Sequence, residues 1–251
     1  MIYKNRIRRR LVGGIATAVT LAATGALALA PASANAAVAA PPPPHTVYAV
    51  TFSGNSALYT LNTWTHRKSL KGNTGVQLTD ITFAGRALYA ISFTDLYWLN
   101  PATGFSHHIG SLGLSSANAL TTQPRTNTLY GADQTGNFFR INPRTGHTTH
   151  IGNFGHGLGS AGDLTFAGGR LYATVSLNGS AETYLATVNV RTGSARIVGD
   201  THYTDVFGLV TGNGAFYGAT DNGLFLAISP VTGRARTIWR EGLDVAGLAT
   251  P

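Results

Sequence analysis

An all-β fold, built as a closed ring of repeated four-stranded units, is what this sequence predicts, and three observations predict it. Within the stretch Leu78–Gly110, apolar runs alternate with turn residues: LTDITF, AGR, ALYAISF, TD, LYWLN, PATG, FSHHIG. That is the pattern of four short antiparallel strands joined by hairpins. The same unit returns to the end of the chain with a period near 40 residues, the size of one β-propeller blade. No copy carries the 3.6-residue apolar period of a helical repeat, and the copies are rich in Gly, Thr and aromatic residues.

Three markers hold the repeat in phase. An apolar–Tyr–small triplet places tyrosines at 48, 89, 130, 172 and 217, with gaps of 41, 41, 42 and 45 residues. A Thr-Gly turn recurs at Thr103-Gly104, Thr145-Gly146, Thr192-Gly193 and Thr232-Gly233, and an apolar–Gly pair ends the fourth strand at Ile109-Gly110, Ile151-Gly152 and Val198-Gly199. The complete copies are Leu78–Gly110, Asn118–Gly152, Gly162–Gly199 and Phe207–Trp239. Two fragments remain. Thr46–Gly72 matches strands two to four, and Val245–Thr250 matches only the first strand. Together they make one more blade, so the expected fold is a five-bladed β-propeller whose C-terminal strand joins the first blade. Closure removes the two raw sheet edges that an open ring would expose.

Ahead of the ring, Lys4, Arg6, Arg8, Arg9 and Arg10 precede an apolar stretch of small residues, followed by small-x-small sites at Ala32-Ser33-Ala34 and Ala34-Asn35-Ala36. Residues 1–36 therefore read as a cleaved export signal, with Arg8-Arg9 loosely resembling a twin-arginine leader. Residues 37–45 form an Ala/Pro-rich spacer, stiffened by the Pro41–Pro44 run, and residues 46–251 a single propeller domain. The expected location is extracellular.

The leader changes the charge argument. Of 18 basic residues, the five before position 37 leave with it and none of the 10 acidic ones does, so the net charge falls from +8 to +3 (13 against 10). A balance this even gives no warrant for a nucleic-acid footprint. The chain has no cysteine, which excludes disulfides, a thiol nucleophile, thiolate metal sites and a lipoprotein anchor.

Strand order assigns the loops to two faces of the disc. One face carries the monotonous turns between strands one and two and between three and four. The other carries loops that vary in length and composition, among them Asn153–Ser160, Ser176–Thr183 and Asp200–Asp205. Binding groups gather on variable loops held by a rigid scaffold, so a site is expected on that second face. Asp205 and Asp244 each precede the inner-strand Leu by four residues, at matching places in adjacent blades. With His202, His156 and Tyr203 they could line a polar funnel, carboxylates binding hydroxyls while the aromatic ring stacks on an apolar face. The alternative is that these Asp side chains cap their own turns and the histidines are solvated. Asp133, Asp221 and Asp95 also lie in or near loops of this face.

Asp80 and Asp163 each precede an inner-strand apolar residue and lie near the axis on non-adjacent blades. Paired carboxylates can perform glycoside hydrolysis at specific separations, but hydrogen bonding to backbone within the ring is the favoured reading. His107-His108 and His147-Thr-Thr-His150 fall on fourth strands at the rim, where residues three apart point to opposite faces and cannot chelate together. No catalytic motif, metal set or cofactor is expected, and the Tyr column reads as interblade core.

On Leu-Tyr-Ala, Asn-Pro-x-Thr-Gly and Ile-Gly in each blade, the chain resembles secreted bacterial β-propeller repeat proteins, and in blade number alone the small propeller lectins. It lacks the Trp-Asp and Gly-His signatures of WD40 blades. The lectin likeness implies sugar binding, though fold does not fix function. The expected role is a non-catalytic binding protein, monomeric, taking a glycan, small molecule or extracellular protein and neither nucleic acid nor membrane. The alternative is an exported hydrolase or lyase acting through funnel carboxylates and histidines.

Overall fold

The structure is a computed structural model that describes residues 44–212 and 214–251. The expected leader and most of the spacer lie outside the described residues. Blade 1 contains β1 (Thr46–Thr51), β2 (Ala57–Asn62) and β3 (Arg67–Asn73). Blade 2 contains β4 (Asp80–Ala84), β5 (Ala87–Ile91), β6 (Asp95–Leu99) and β7 (Ser106–Ser111). Blade 3 contains β8 (Ala117–Gln123), β9 (Thr128–Asp133), β10 (Asn137–Ile141) and β11 (Thr148–Asn153). Blade 4 contains β12 (Leu158–Ala167), β13 (Arg170–Leu177), β14 (Glu182–Val188) and β15 (Ala195–Thr204). Blade 5 contains β16 (Val206–Gly212), β17 (Ala215–Thr220), β18 (Leu224–Ile228) and β19 (Ala235–Arg240). The last strand, β20 (Val245–Ala249), pairs antiparallel with β1 to complete blade 1. The predicted five-bladed ring and its closure are both observed.

Burial follows strand position. The innermost strand β20 reads VAGLA and is buried throughout, whereas the outermost β7 reads SHHIGS with both histidines exposed. An inner strand has neighbours on both faces and is mostly small or aliphatic, whereas an outer strand meets water. The Tyr column sits between blades as expected. Tyr48 meets Phe83, Tyr130 meets Phe166, and Tyr172 meets Phe216 of the next blade, with ring centroids 5.1, 6.2 and 4.6 Å apart.

The other two markers of the repeat prove to be two halves of one contact. The glycine of each Thr-Gly turn lies against the glycine ending the fourth strand of the preceding blade: Gly104 on Gly72, Gly146 on Gly110, Gly193 on Gly152 and Gly233 on Gly199. A Cβ on Gly104 would stand 2.6 Å from the Gly72 carbonyl oxygen, so backbone meets backbone at four seams. The fifth seam, where the ring closes, is built differently. His66 takes the turn position, with a left-handed φ of 54°, and its ring packs 4.8 Å from Trp239 of blade 5.

Beside Trp239, the carboxyl of Glu241 is buried with neither oxygen hydrogen-bonded, and the Trp239 Nε1 is likewise buried without a partner. Lys68 reaches across the seam but donates to the Glu241 backbone carbonyl at 2.8 Å. Burial pushes the Glu241 carboxyl up to about 7, against the opposing charges of Lys68 and Arg240. A raised carboxyl binds its proton more tightly in the folded state, so its contribution is complete below the unfolded value and is lost as pH rises through the folded one. We expect urea unfolding to show wild-type stability falling relative to Glu241→Gln between pH 4.5 and 7. The difference should be at most about 3 kcal/mol. Parallel curves for the two proteins would mean that the carboxyl is not held protonated.

Candidate functional site

Around the axis, equivalent residues of the five inner strands form layers. Ile81, Leu120, Leu164, Leu209 and Leu248 make one layer, and the residues just before them are Asp80, Ala119, Asp163, Gly208 and Gly247. The inner edge of each innermost strand has no partner strand, so its amide groups need acceptors from elsewhere. The two carboxylates supply them. Asp80 accepts from Ile81 N at 2.7 Å and Leu120 N at 2.6 Å. Asp163 accepts from Leu164 N at 2.6 Å, Leu209 N at 2.6 Å and Leu248 N at 3.3 Å. All five blades are thereby tied to one acid pair.

Three small residues in the same layer make room for it. A Cβ on Gly247 would overlap the Asp80 carboxylate and lie 2.7 Å from the Asp80 Cα. Both acids are buried, at 0% and 1% exposure. Burial, followed by the charge of Asp163, holds the Asp80 carboxyl well above the usual carboxylate range. Asp163 is also raised by burial, but the amides of Leu209, Leu248 and Leu164 and a hydrogen bond from Asp80 pull it back. Burial thus holds both carboxyls toward their protonated forms. The backbone reading of this pair, favoured from the sequence, holds: both carboxyls are spent on the ring.

The acid layer separates two mouths. On the side of the variable loops, the residues one step further out are Thr79, Asn118, Gly162, Phe207 and Ala246, and all five line a cavity of about 120 Å³. Strand irregularities aim them there. Asn118, Phe207 and Ala246 are the extra residues of bulges in β8, β16 and β20, and β12 bulges between Ser160 and Leu164, around Gly162. A bulged residue leaves the ladder and turns its side chain away from its strand's regular alternation. Phe52 and Phe93 complete the rim, edge to face at 6.1 Å.

This mouth opens sideways over blades 3 to 5 into a lobe of about 300 Å³ that shares Asn118, Gln134, Ala161 and Phe207 with it. Ser160, Ser176, Ser180, Thr183 and Asp205 form the rest of its polar wall. Two of these polar side chains are buried yet incompletely satisfied. Asn118, 6% exposed, donates its Nδ2 to the Ser160 carbonyl at 2.9 Å, but its Oδ1 has no partner. Ser160, 3% exposed, has no partner for its Oγ. Stranding such groups costs about 1–3 kcal/mol each, and native structures keep few of them.

Of the residues singled out in the sequence, Asp205 lies in this wall. It sits at a left-handed φ of 51°, anchored through its amide to the Ala181 carbonyl and through its carbonyl to the Asp221 amide. Burial, then the neighbouring Asp221 charge, raises its carboxyl pKa. The other four are placed elsewhere, and no hydrogen bond or ion pair joins any two of the five. His202 pairs with Asp200 at 3.2 Å, Tyr203 shares a 2.9 Å hydrogen bond with Thr237 of the next blade, and Asp244 accepts from the Ser53 amide at 2.9 Å. His156 is exposed in a turn at φ 56° between two left-handed glycines. Asp133 caps its own loop through Thr135 and Asn137, and the rim histidines 107, 108, 147 and 150 are exposed. Among the described residues no group of three or more His, Asp or Glu side chains could hold a metal ion.

Asn118, Ser160 and Gln134 did not stand out in the sequence. Aligning the inner strands on Ile81, Leu120, Leu164, Leu209 and Leu248 would have flagged Asn118 as the one amide side chain in its layer.

No protein-family model matches the chain, and no curated protein does. Solved structures do. A chain of a nidogen–laminin complex superposes with a TM-score of 0.58 at 12% identity, over 82% of this chain and 80% of that one. A structural-genomics protein of unknown function from Bacteroides thetaiotaomicron gives 0.53 at 17% identity, over 80% and 56%. An auxiliary nutrient binding protein from the same organism gives 0.50 at 15%, over 77% and 54%. The chain thus spans little more than half the length of the two Bacteroides proteins. The likeness is one of fold.

Proposed function

We propose that the protein is an exported, monomeric, non-catalytic binding protein that takes a small polar molecule, a sugar unit of a glycan among the candidates, in the axial mouth and its side lobe. The observation that carries this reading is the pair of stranded polar atoms, Asn118 Oδ1 and Ser160 Oγ, on two residues that line one pocket. A ligand supplying the missing hydrogen bonds recovers a desolvation cost that the empty fold bears alone. The lobe is at the lower end of the usual size of small-molecule sites. Export rests on the basic, apolar and small-residue pattern of residues 1–36.

The hydrolytic alternative asks Asp205, Asp244, His202 and His156 to face one reacting centre. His202 and Asp244 have partners of their own, Asp200 and the Ser53 amide, and the geometry favours binding over turnover.

The test is a thermal-shift screen of sugars and small metabolites against wild type and Ser160→Ala. Removing a stranded buried hydroxyl should leave the variant as stable as wild type or more so, by up to about 1 kcal/mol. Hits on wild type should weaken in the variant by about tenfold. A destabilised variant that keeps every hit would remove Ser160 from the site. Silence across the screen would favour an extracellular protein as the partner.

A further inference from the structure

We infer that the pocket selects an organic ammonium ion with an apolar body, such as a small aralkyl amine, and rejects carboxylates and phosphates of the same shape. This rests on the binding reading above and names the ligand class for that site. The wall offers acceptors. Asn118 gives one amide hydrogen to the Ser160 carbonyl and keeps an unpartnered Oδ1, Asp205 adds a carboxylate, and the Ser160 hydroxyl can accept as well as donate. Among the described residues no Lys, Arg or His lines either the mouth or the lobe, so an incoming anion meets no side-chain counter-charge from them.

Negative charge is concentrated instead. The Asp221 amide bonds the Asp205 carbonyl, which sets the two side chains on adjacent turns, and their mutual repulsion adds to burial in raising the Asp205 pKa. On the axis beneath the mouth, the carboxyl oxygens of the acid pair are met by backbone amides and by no cationic side chain among the described residues. The apolar side is aromatic. Phe52 and Phe93 meet edge to face at the rim, and Phe207 borders both the mouth and the lobe. Ring faces attract cations through their quadrupole, and Phe207 supplies a surface on which an apolar body can rest while the ammonium group reaches Asn118 Oδ1 and Asp205.

The experiment is calorimetric titration of the protein with three probes of one shape: phenethylamine, 2-phenylethanol and 3-phenylpropionate, with glucose and galactose alongside. Phenethylamine should bind at least about tenfold more tightly than the alcohol, the difference of one charge-assisted hydrogen bond, and the carboxylate should not bind. Asp205→Asn should erase that preference; Asn tolerates the left-handed φ at this position, so the loop should keep its fold. Near-equal binding of the amine and the alcohol, or tighter binding of the carboxylate, would overturn the charge selectivity while leaving the pocket as a binding site. Glucose or galactose binding, lost in Ser160→Ala, with no amine response would overturn the ligand class alone. No binding by any probe, with none in the wider screen, would overturn both readings.

Discussion

Replacing Asp163 by Ala is expected to unfold the ring or leave it only marginally stable. The substitution removes the acceptor of three buried amides, those of Leu164, Leu209 and Leu248, which belong to three different blades. Each stranded amide costs about 1–3 kcal/mol. Their sum takes a large part of the roughly 5–15 kcal/mol that holds a domain folded. Equilibrium urea unfolding is the measurement, and a loss below about 1 kcal/mol would show that the pair is dispensable. The partner substitution Asp80→Asn separates charge from hydrogen bonding. In wild type the pair binds protons more tightly in the folded state, so stability is highest below the ordinary Asp range and falls as pH rises through the pair's raised value. Asn carries no proton to lose. The variant should start lower in acid, because one of the two amides that Asp80 serves then faces an NH2 group, and should lack this component of the fall.

Deleting residues 244–251 should have an effect of similar size. It removes β20, whose Val245, Ala246, Leu248 and Ala249 are all buried, and with it one of the amides bound by Asp163. Burial of the Val and Leu side chains alone is worth about 1.5–3 kcal/mol each. The deletion also uncovers the β1 edge, a template for pairing with other chains. The truncated protein should lose the cooperative unfolding transition and self-associate. A peptide spanning residues 241–251 should restore a monomeric, cooperatively unfolding species. A truncated chain that stays monomeric and melts like wild type would refute closure through this strand.

The sequence carried the architecture because its markers have architectural causes. The Thr-Gly and apolar–Gly pairs recur together because each pair of glycines is one backbone contact between blades, and the Tyr column recurs because each ring fills a seam. Closure was legible for the same reason, since the two end fragments complement each other strand for strand. Asp80 and Asp163 were legible as structural because each immediately precedes an inner-strand aliphatic residue.

The site was less legible, and the reason is local backbone geometry. A regular inner strand would send Asn118 and Phe207 into a blade; single-residue bulges turn them to the axis, and no residue pattern marks those bulges. His156, His202 and Asp205 all adopt left-handed φ, which redirects side chains that strand alternation would have placed otherwise. The pairings of His202 with Asp200 and of Asp244 with the Ser53 amide depend on loop conformations of the same kind. Of the polar residues expected at the mouth, Asp205 lines the lobe because its backbone is fixed on both sides, by Ala181 and by Asp221.

The most direct test of the account is an amide chemical-shift map of the protein titrated with phenethylamine. The acid layer divides the channel, so the account predicts saturable shifts at Asn118, Ser160, Asp205 and Phe207 and none at Thr82, Thr165, Thr211 or Thr250 around the opposite mouth. Shifts confined to the opposite mouth, or no saturable shift at the first four residues, would contradict it.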